Sequence, residues 1–147
     1  MTYAELGHVE KGLSMERVIY SGSLKLLGED HYDTLRAGNN YTNSLVNLKR
    51  CEEAKTFLRR PLSVARRVLG ENHDLTLTMR WIYAAAHYKD AGASLDDLGE
   101  AMNTLEDVGR IGRRVLGGAH PTTARTEGDL RNVRAALHAR ETPPRSA

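Results

Sequence analysis

The chain has a single cysteine, Cys51, in its 147 residues. An intrachain disulfide is therefore excluded and a reducing compartment is permitted. Charge of one sign is also missing, because 21 basic residues stand against 19 acidic ones, a balance of +2. No strong field points to nucleic acid or to a membrane surface, and neither is expected as a partner. No apolar run approaches the roughly 20 residues that a bilayer span needs. The opening MTYAELGHVEKG has no apolar stretch behind basic residues, so no secretory leader is expected. A cytoplasmic chain of one domain is the expectation at this length.

Signals for chemistry are equally sparse. GRIGRRVLGG (109–118) is rich in glycine but lacks the strand and the Lys-Ser/Thr pair of a phosphate loop. No H-x-x-x-H or C-x-x-C spacing suggests a metal. Cys51 follows Lys49 and Arg50, a setting that would favour a thiolate, but no His–Asn partner can be identified. A buried, inert thiol is expected. The reading is a chain with no cofactor and no metal, and not an enzyme.

What the chain does have is a phrase that occurs three times: LGEDHYDTL (27–35), LGENHDLTL (69–77) and LGGAHPTTA (116–124). His31 and His73 are 42 residues apart, and His73 and His120 are 47 apart. That period fits one supersecondary unit per copy, hence a short stack of similar units. Such stacks usually bind other proteins. Each copy reads as a joint between two helices. Leu27, Leu69 and Leu116 are expected as the last buried residues of an outgoing helix. Gly28, Gly70 and Gly117 then supply the left-handed exit, and Pro121 suits the first turn of a new helix. Asp33 and Asp74 would lie near the positive end of the helix that follows. The three repeated histidines belong to these joints, too far apart along a stack for one zinc sphere.

Between the joints, Ala54, Phe57, Leu58, Pro61, Leu62, Ala65, Val68 and Leu69 form the clearest helical stripe. A shift of 42 back places it on Gly12, Met15, Glu16, Ile19, Tyr20, Ser23, Leu26 and Leu27. A shift of 47 forward places it on Ala101, Thr104, Leu105, Val108, Gly109, Gly112, Val115 and Leu116. The expectation is an all-α fold of about six helices. It has a lead-in at 1–9, a lone helix at 10–28, pairs at 31–69 and 73–116, a lone helix at 120–138 and a disordered tail at 139–147. The segment 89–97 is expected as a lengthened turn, and the LGH at 6–8 as a chance match to the joint. Pro61 inside a helix costs roughly 3 kcal/mol, and Gly109 and Gly112 about 1 kcal/mol each relative to alanine.

HYDTLRAGNNYTNSL followed by EEAKTFLRRPLSVARRVLGENH resembles the 42-residue tetratricopeptide repeats of kinesin light chains and their relatives. The likeness covers roughly residues 10–138 and rests on the period, the joint phrase, the double asparagine and the Glu-Ala pair. It implies a right-handed α-solenoid of antiparallel helix pairs, with a concave groove lined by the first helix of each pair. A partner peptide lies in that groove. Carried over, the groove positions are Arg36, Asn39, Asn40, Asn43 and Asn47 in the first full unit. In the next they are Thr78, Trp81, Ala85, Tyr88 and Lys89, and in the trailing helix Arg125, Gly128, Asp129 and Asn132. The second asparagine becomes Ile82 and then Asp129, so only one unit keeps the full row.

The carboxamides suit a main-chain grip, since each both donates and accepts. Arg36, Lys89 and Arg125 would favour an acidic partner. Trp81, the only tryptophan, is open to two readings, as core between helices or as an exposed anchor beside Tyr88. The pairs Arg59–Arg60, Arg66–Arg67 and Arg113–Arg114 share their helices with Glu52, Glu53, Glu100 and Glu106, which favours a solvated mixed-charge face over an RNA ridge. The leading expectation is a non-enzymatic module that binds a protein or peptide. The alternative is an eroded repeat fragment whose open ends form a homo-oligomer or a scaffold.

Overall fold

The computed structural model describes residues 2–142, and they form six helices: α1 (Tyr3–Leu27), α2 (Tyr32–Asn47), α3 (Cys51–Val68), α4 (Asp74–Tyr88), α5 (Leu95–Val115) and α6 (Pro121–Glu141). Each is joined to the next by a short turn, so neighbours run antiparallel. The all-α stack expected from the repeat is what forms.

The joints follow the chemistry of their residues. Gly28, Gly70 and Gly117 sit at φ 87°, 91° and 92°, a region that favours glycine. His31, His73 and His120 are the N-caps of α2, α4 and α6, and the Nδ1 of each accepts the backbone N–H two residues on, at 3.1, 3.0 and 3.2 Å. The repeated histidine thus fills a place that Ser, Thr, Asp or Asn usually take. The leucines ahead of the glycines are less enclosed than expected. Leu27 is exposed and Leu69 and Leu116 are half-buried, because the joints lie at the rim of the stack.

Two boundaries differ from the sequence reading. The segment expected as a lead-in is the start of α1, because Thr2 and Glu5 form a capping box. The LGH at 6–8 accordingly lies inside a helix. At the other end α6 continues to Glu141, so 139–141 are helical, and the rest of the expected tail, 143–147, lies outside the described residues. α3 continues on both sides of Pro61.

Curvature comes from unequal packing. The inner helices α2, α4 and α6 touch in sequence, whereas α1, α3 and α5 share no backbone contact. The outer row is therefore splayed and the inner row closed, which bends the stack around α2, α4 and α6. One core joins α1, α2, α3 and α4 through Leu13, Leu45, Leu58, Ala65 and Ile82. A second joins α4, α5 and α6 through Ala84, Leu105, Leu130 and Val133. Trp81 packs against both, and also against the small Leu77–Val108–Ile111 cluster.

Of the two glycines expected to weaken α5, Gly112 has a packing role. A Cβ on Gly112 would lie 2.9 Å from Thr123 Oγ1, so the glycine lets the Thr123 side chain of α6 sit close against α5. Ala65 and Thr76 hold the same register one unit earlier, and Thr76 Oγ1 donates to the Ala65 carbonyl at 3.4 Å.

Candidate functional site

The row expected from the sequence lies on α2. Arg36, Asn40, Asn43 and Asn47 follow an i, i+4, i+7, i+11 spacing and so share one side of the helix. Arg36, Asn40 and Asn47 are exposed and Asn43 is half-buried. The side-chain hydrogen bonds within α2 come from elsewhere: Thr42 donates to the Gly38 carbonyl and Ser44 donates to Glu16. The carboxamides of the row remain available. Asn39 differs, since its Oδ1 is buried without a partner among the described residues. Its register counterpart one unit on is Trp81.

The second part of the expected site is brought together between α4 and α6, but on different terms. Trp81 Nε1 donates to Asp129 Oδ2 at 2.7 Å, and the Arg125 guanidinium stands 5.7 Å from the centre of the Trp81 ring. Burial, and then the neighbouring Asp129 carboxylate, push the Tyr88 phenol far above its ordinary pKa. Trp81 therefore acts as core between repeats, with its polar edge satisfied from inside. It is not a free anchor beside the asparagine row. Asp129 stands where the repeat pattern has its second asparagine, and its carboxylate is what engages the Trp81 indole. The signal was there in the register, where the unit with the tryptophan is followed by the unit with the carboxylate.

The remaining groove positions divide. Ala85 is buried and Thr78 is half-buried, while Arg125 and Asn132 are exposed on α6 and Lys89 is half-buried at the end of α4. Thr122 Oγ1 donates to Asp74 Oδ1 at 3.0 Å and lies 3.4 Å from Thr78 Oγ1, which ties the starts of α4 and α6 together. The α4 positions are thus tied to α6 by bonds within the stack, whereas among the described residues Asn40, Asn43 and Asn47 of α2 have no such tie.

The outer arginines are largely spoken for. Arg60 pairs with Glu29, Arg67 with Asp30, Arg66 with Glu71 and Arg113 with Glu127. The Arg60 and Arg67 hydrogen bonds hold the Glu29 and Asp30 carboxyls below the usual range. Deeper in, Arg80 Nη2 meets Asp107 Oδ2 at 2.8 Å and lowers the pKa of that carboxyl. Cys51 opens α3 and is buried, and burial pushes its thiol pKa up. That is the reverse of an activated thiolate. Among the described residues no group of three or more His, Cys, Asp or Glu is arranged to hold a metal ion, and no helix is long and apolar enough to cross a membrane.

A stack of antiparallel helix pairs linked by a repeated joint is the architecture of helical repeat modules, a class that commonly serves protein interaction. Residues 34–74, which run from the first turn of α2 through α3 to the start of α4, match the family described as tetratricopeptide repeat, and this supports a tetratricopeptide-repeat protein. No curated protein matches the chain significantly.

Proposed function

We propose that this protein is a non-enzymatic interaction module that holds an acidic partner peptide along its inner face, with α2 as the main grip. The observation that carries the reading is the row of unengaged carboxamides at Asn40, Asn43 and Asn47 beside Arg36. Amides that donate and accept can bind a peptide main chain whatever its side chains are. Arg36, Lys89 and Arg125 supply positive charge on the same face, while its one carboxylate on α6, Asp129, is turned to Trp81. The 42-residue period between the first two joints favours the kinesin light chain-like type of repeat. We place the module in the cytoplasm, in keeping with its lone buried thiol.

A displayed library of random peptides tests this. Selection on the intact chain should enrich sequences rich in Asp and Glu, and the enrichment should vanish on Asn40→Leu/Asn43→Leu with the melting temperature unchanged. Enrichment without acidic bias, or enrichment that survives the double variant, would overturn it.

A further inference from the structure

The side of α1 that faces away from α2 is apolar and open. Met15, Val18, Ile19 and Leu26 share it, and they are 59%, 70%, 57% and 84% exposed. The repeat register says what such a face is for. Ile19 and Gly22 correspond to Pro61 and Val64 in α3 and to Val108 and Ile111 in α5. All four of those counterparts are buried, and Val108 and Ile111 pack with Leu77 of α4, the inner helix of their own pair. On α1 the same positions form a seat of the kind that an inner helix fills elsewhere in the stack. Its shape is that of a helix–helix interface.

Charge decides what can sit there. The three carboxylates of α1 are engaged away from this face: Glu5 closes the cap on Thr2, Glu10 pairs with Arg50, and Glu16 accepts from Ser44. Lys11 lines an apolar furrow of about 280 Å³ with Ser14, Met15, Val18 and Ile19. Lys25 lies seven residues beyond Val18, two turns along the same flank. The seat is an apolar stripe edged by lysine.

A second copy does not fit it. Two α1 helices paired face to face, in antiparallel fashion, would set Lys11 of one close to Lys25 of the other. α6 is no better suited. The positions through which α4 meets α5, namely Leu77, Arg80 and Ala84, become Ala124, Glu127 and Arg131 in α6. Arg131 is exposed there and Glu127 is bound to Arg113. That face offers no apolar stripe to set against the one on α1.

We propose that the outward face of α1 docks an amphipathic helix of a partner protein, with leucine-type residues at i, i+3/i+4 and i+7 and carboxylates along its flanks. The site is separate from the inner-face groove, and it stands or falls without it.

The test uses the intact chain and a labelled synthetic helix of about 20 residues built to that pattern, beside a twin with lysine in place of every glutamate, read by fluorescence anisotropy. The acidic helix should bind at least roughly tenfold more tightly than its twin. Val18→Glu should abolish most of that binding while helicity stays unchanged, and Lys11→Glu/Lys25→Glu should reverse the preference. Asn40→Leu/Asn43→Leu should leave it untouched, which separates this site from the groove. Equal binding of both helices, or of neither, overturns the proposal. So does capture by phosphatidylserine vesicles that Val18→Glu removes, which would make the face a membrane contact. Concentration-dependent dimerisation lost in Val18→Glu would assign the face to a second copy instead.

Discussion

Helices α1 and α5 hold the same place in the repeat, yet Val108 and Ile111 of α5 are closed beneath α4 while Ile19 of α1 faces outward. Residue type alone does not account for the difference at the first of these positions, since Ile19 and Val108 are both apolar in the same register. The neighbours do. α5 lies between α4 and α6, whereas α1 packs its backbone on α2 alone and reaches α3 through side chains such as Tyr20 against Phe57, 4.8 Å apart. In a stack of repeats an apolar residue contributes stability only where a second unit removes it from water. Stability should therefore be concentrated in the α4–α6 half and thin toward α1.

The sharpest way to break this comparison is Trp81→Ala. Trp81 joins all three apolar clusters and donates to Asp129, so its loss should cost about 3–5 kcal/mol in urea unfolding. Tyr3→Ala, at the almost fully exposed start of α1, should leave the midpoint unmoved. A Trp81→Ala cost near that of a surface change would mean that the two halves are not coupled through this side chain.

A matched pair asks the same question at one register. Val108→Ala should cost about 2 kcal/mol, from lost burial and the cavity left behind. Ile19→Ala should stay within about 0.5 kcal/mol, as expected of an exposed site. Equal losses would show that α1 is covered in solution.

Charge gives a smaller contrast between inside and rim. Arg80 is buried against Asp107, and removing the carboxylate with Asp107→Asn leaves the guanidinium with a weaker partner. Charge-assisted hydrogen bonds contribute roughly 1.5–3 kcal/mol when desolvated, and because Asp107 is partly exposed we expect about 1 kcal/mol. The sign with pH follows from the lowered pKa. The folded carboxyl ionises more readily than the unfolded one, so its contribution is complete above the unfolded value near 4 and fades as pH falls through the lower folded value. Stability curves of wild type and Asp107→Asn should differ at pH 7 and converge in acid. The rim pair Arg60–Glu29, with Arg60 exposed and Glu29 half-exposed, should show little of this when Glu29 is replaced by Gln.

The fold was readable from the residues because its signals are local and repeated. Each Leu-Gly step ends a helix, each His caps the next, and the stripe from Ala54 to Ala65 needs no partner to be seen. What escaped depends on contacts across units. Gly112 reads as a weak helix residue until Thr123 of α6 is set against it. Trp81 reads as core or anchor alike until Asp129, 48 residues away, takes its N–H. The capping box of Thr2 and Glu5 is a local signal, three residues apart, but it lies outside the repeated phrase. The asparagine row was found in register, but which of its members stay free was decided by packing, as Asn39 and Asn43 show.

The smallest expected contrast lies at the joints themselves. His31 and His73 cap their helices through the same Nδ1 geometry, at 3.1 and 3.0 Å. An imidazole that accepts at Nδ1 carries its proton at Nε2, and replacement by alanine leaves a first-turn N–H without its partner. The typical cost is about 1 kcal/mol. His73 is half-buried beneath Tyr32, with ring centres 6.1 Å apart, so water reaches the orphaned group poorly and the full cost should appear in His73→Ala. His31 is exposed at the α1–α2 joint, water can replace it, and His31→Ala should cost measurably less. Asn at either place keeps an acceptor and should recover most of the loss. Equal costs for the two alanine variants, with no recovery by asparagine, would mean that the imidazoles serve as packing rather than as caps.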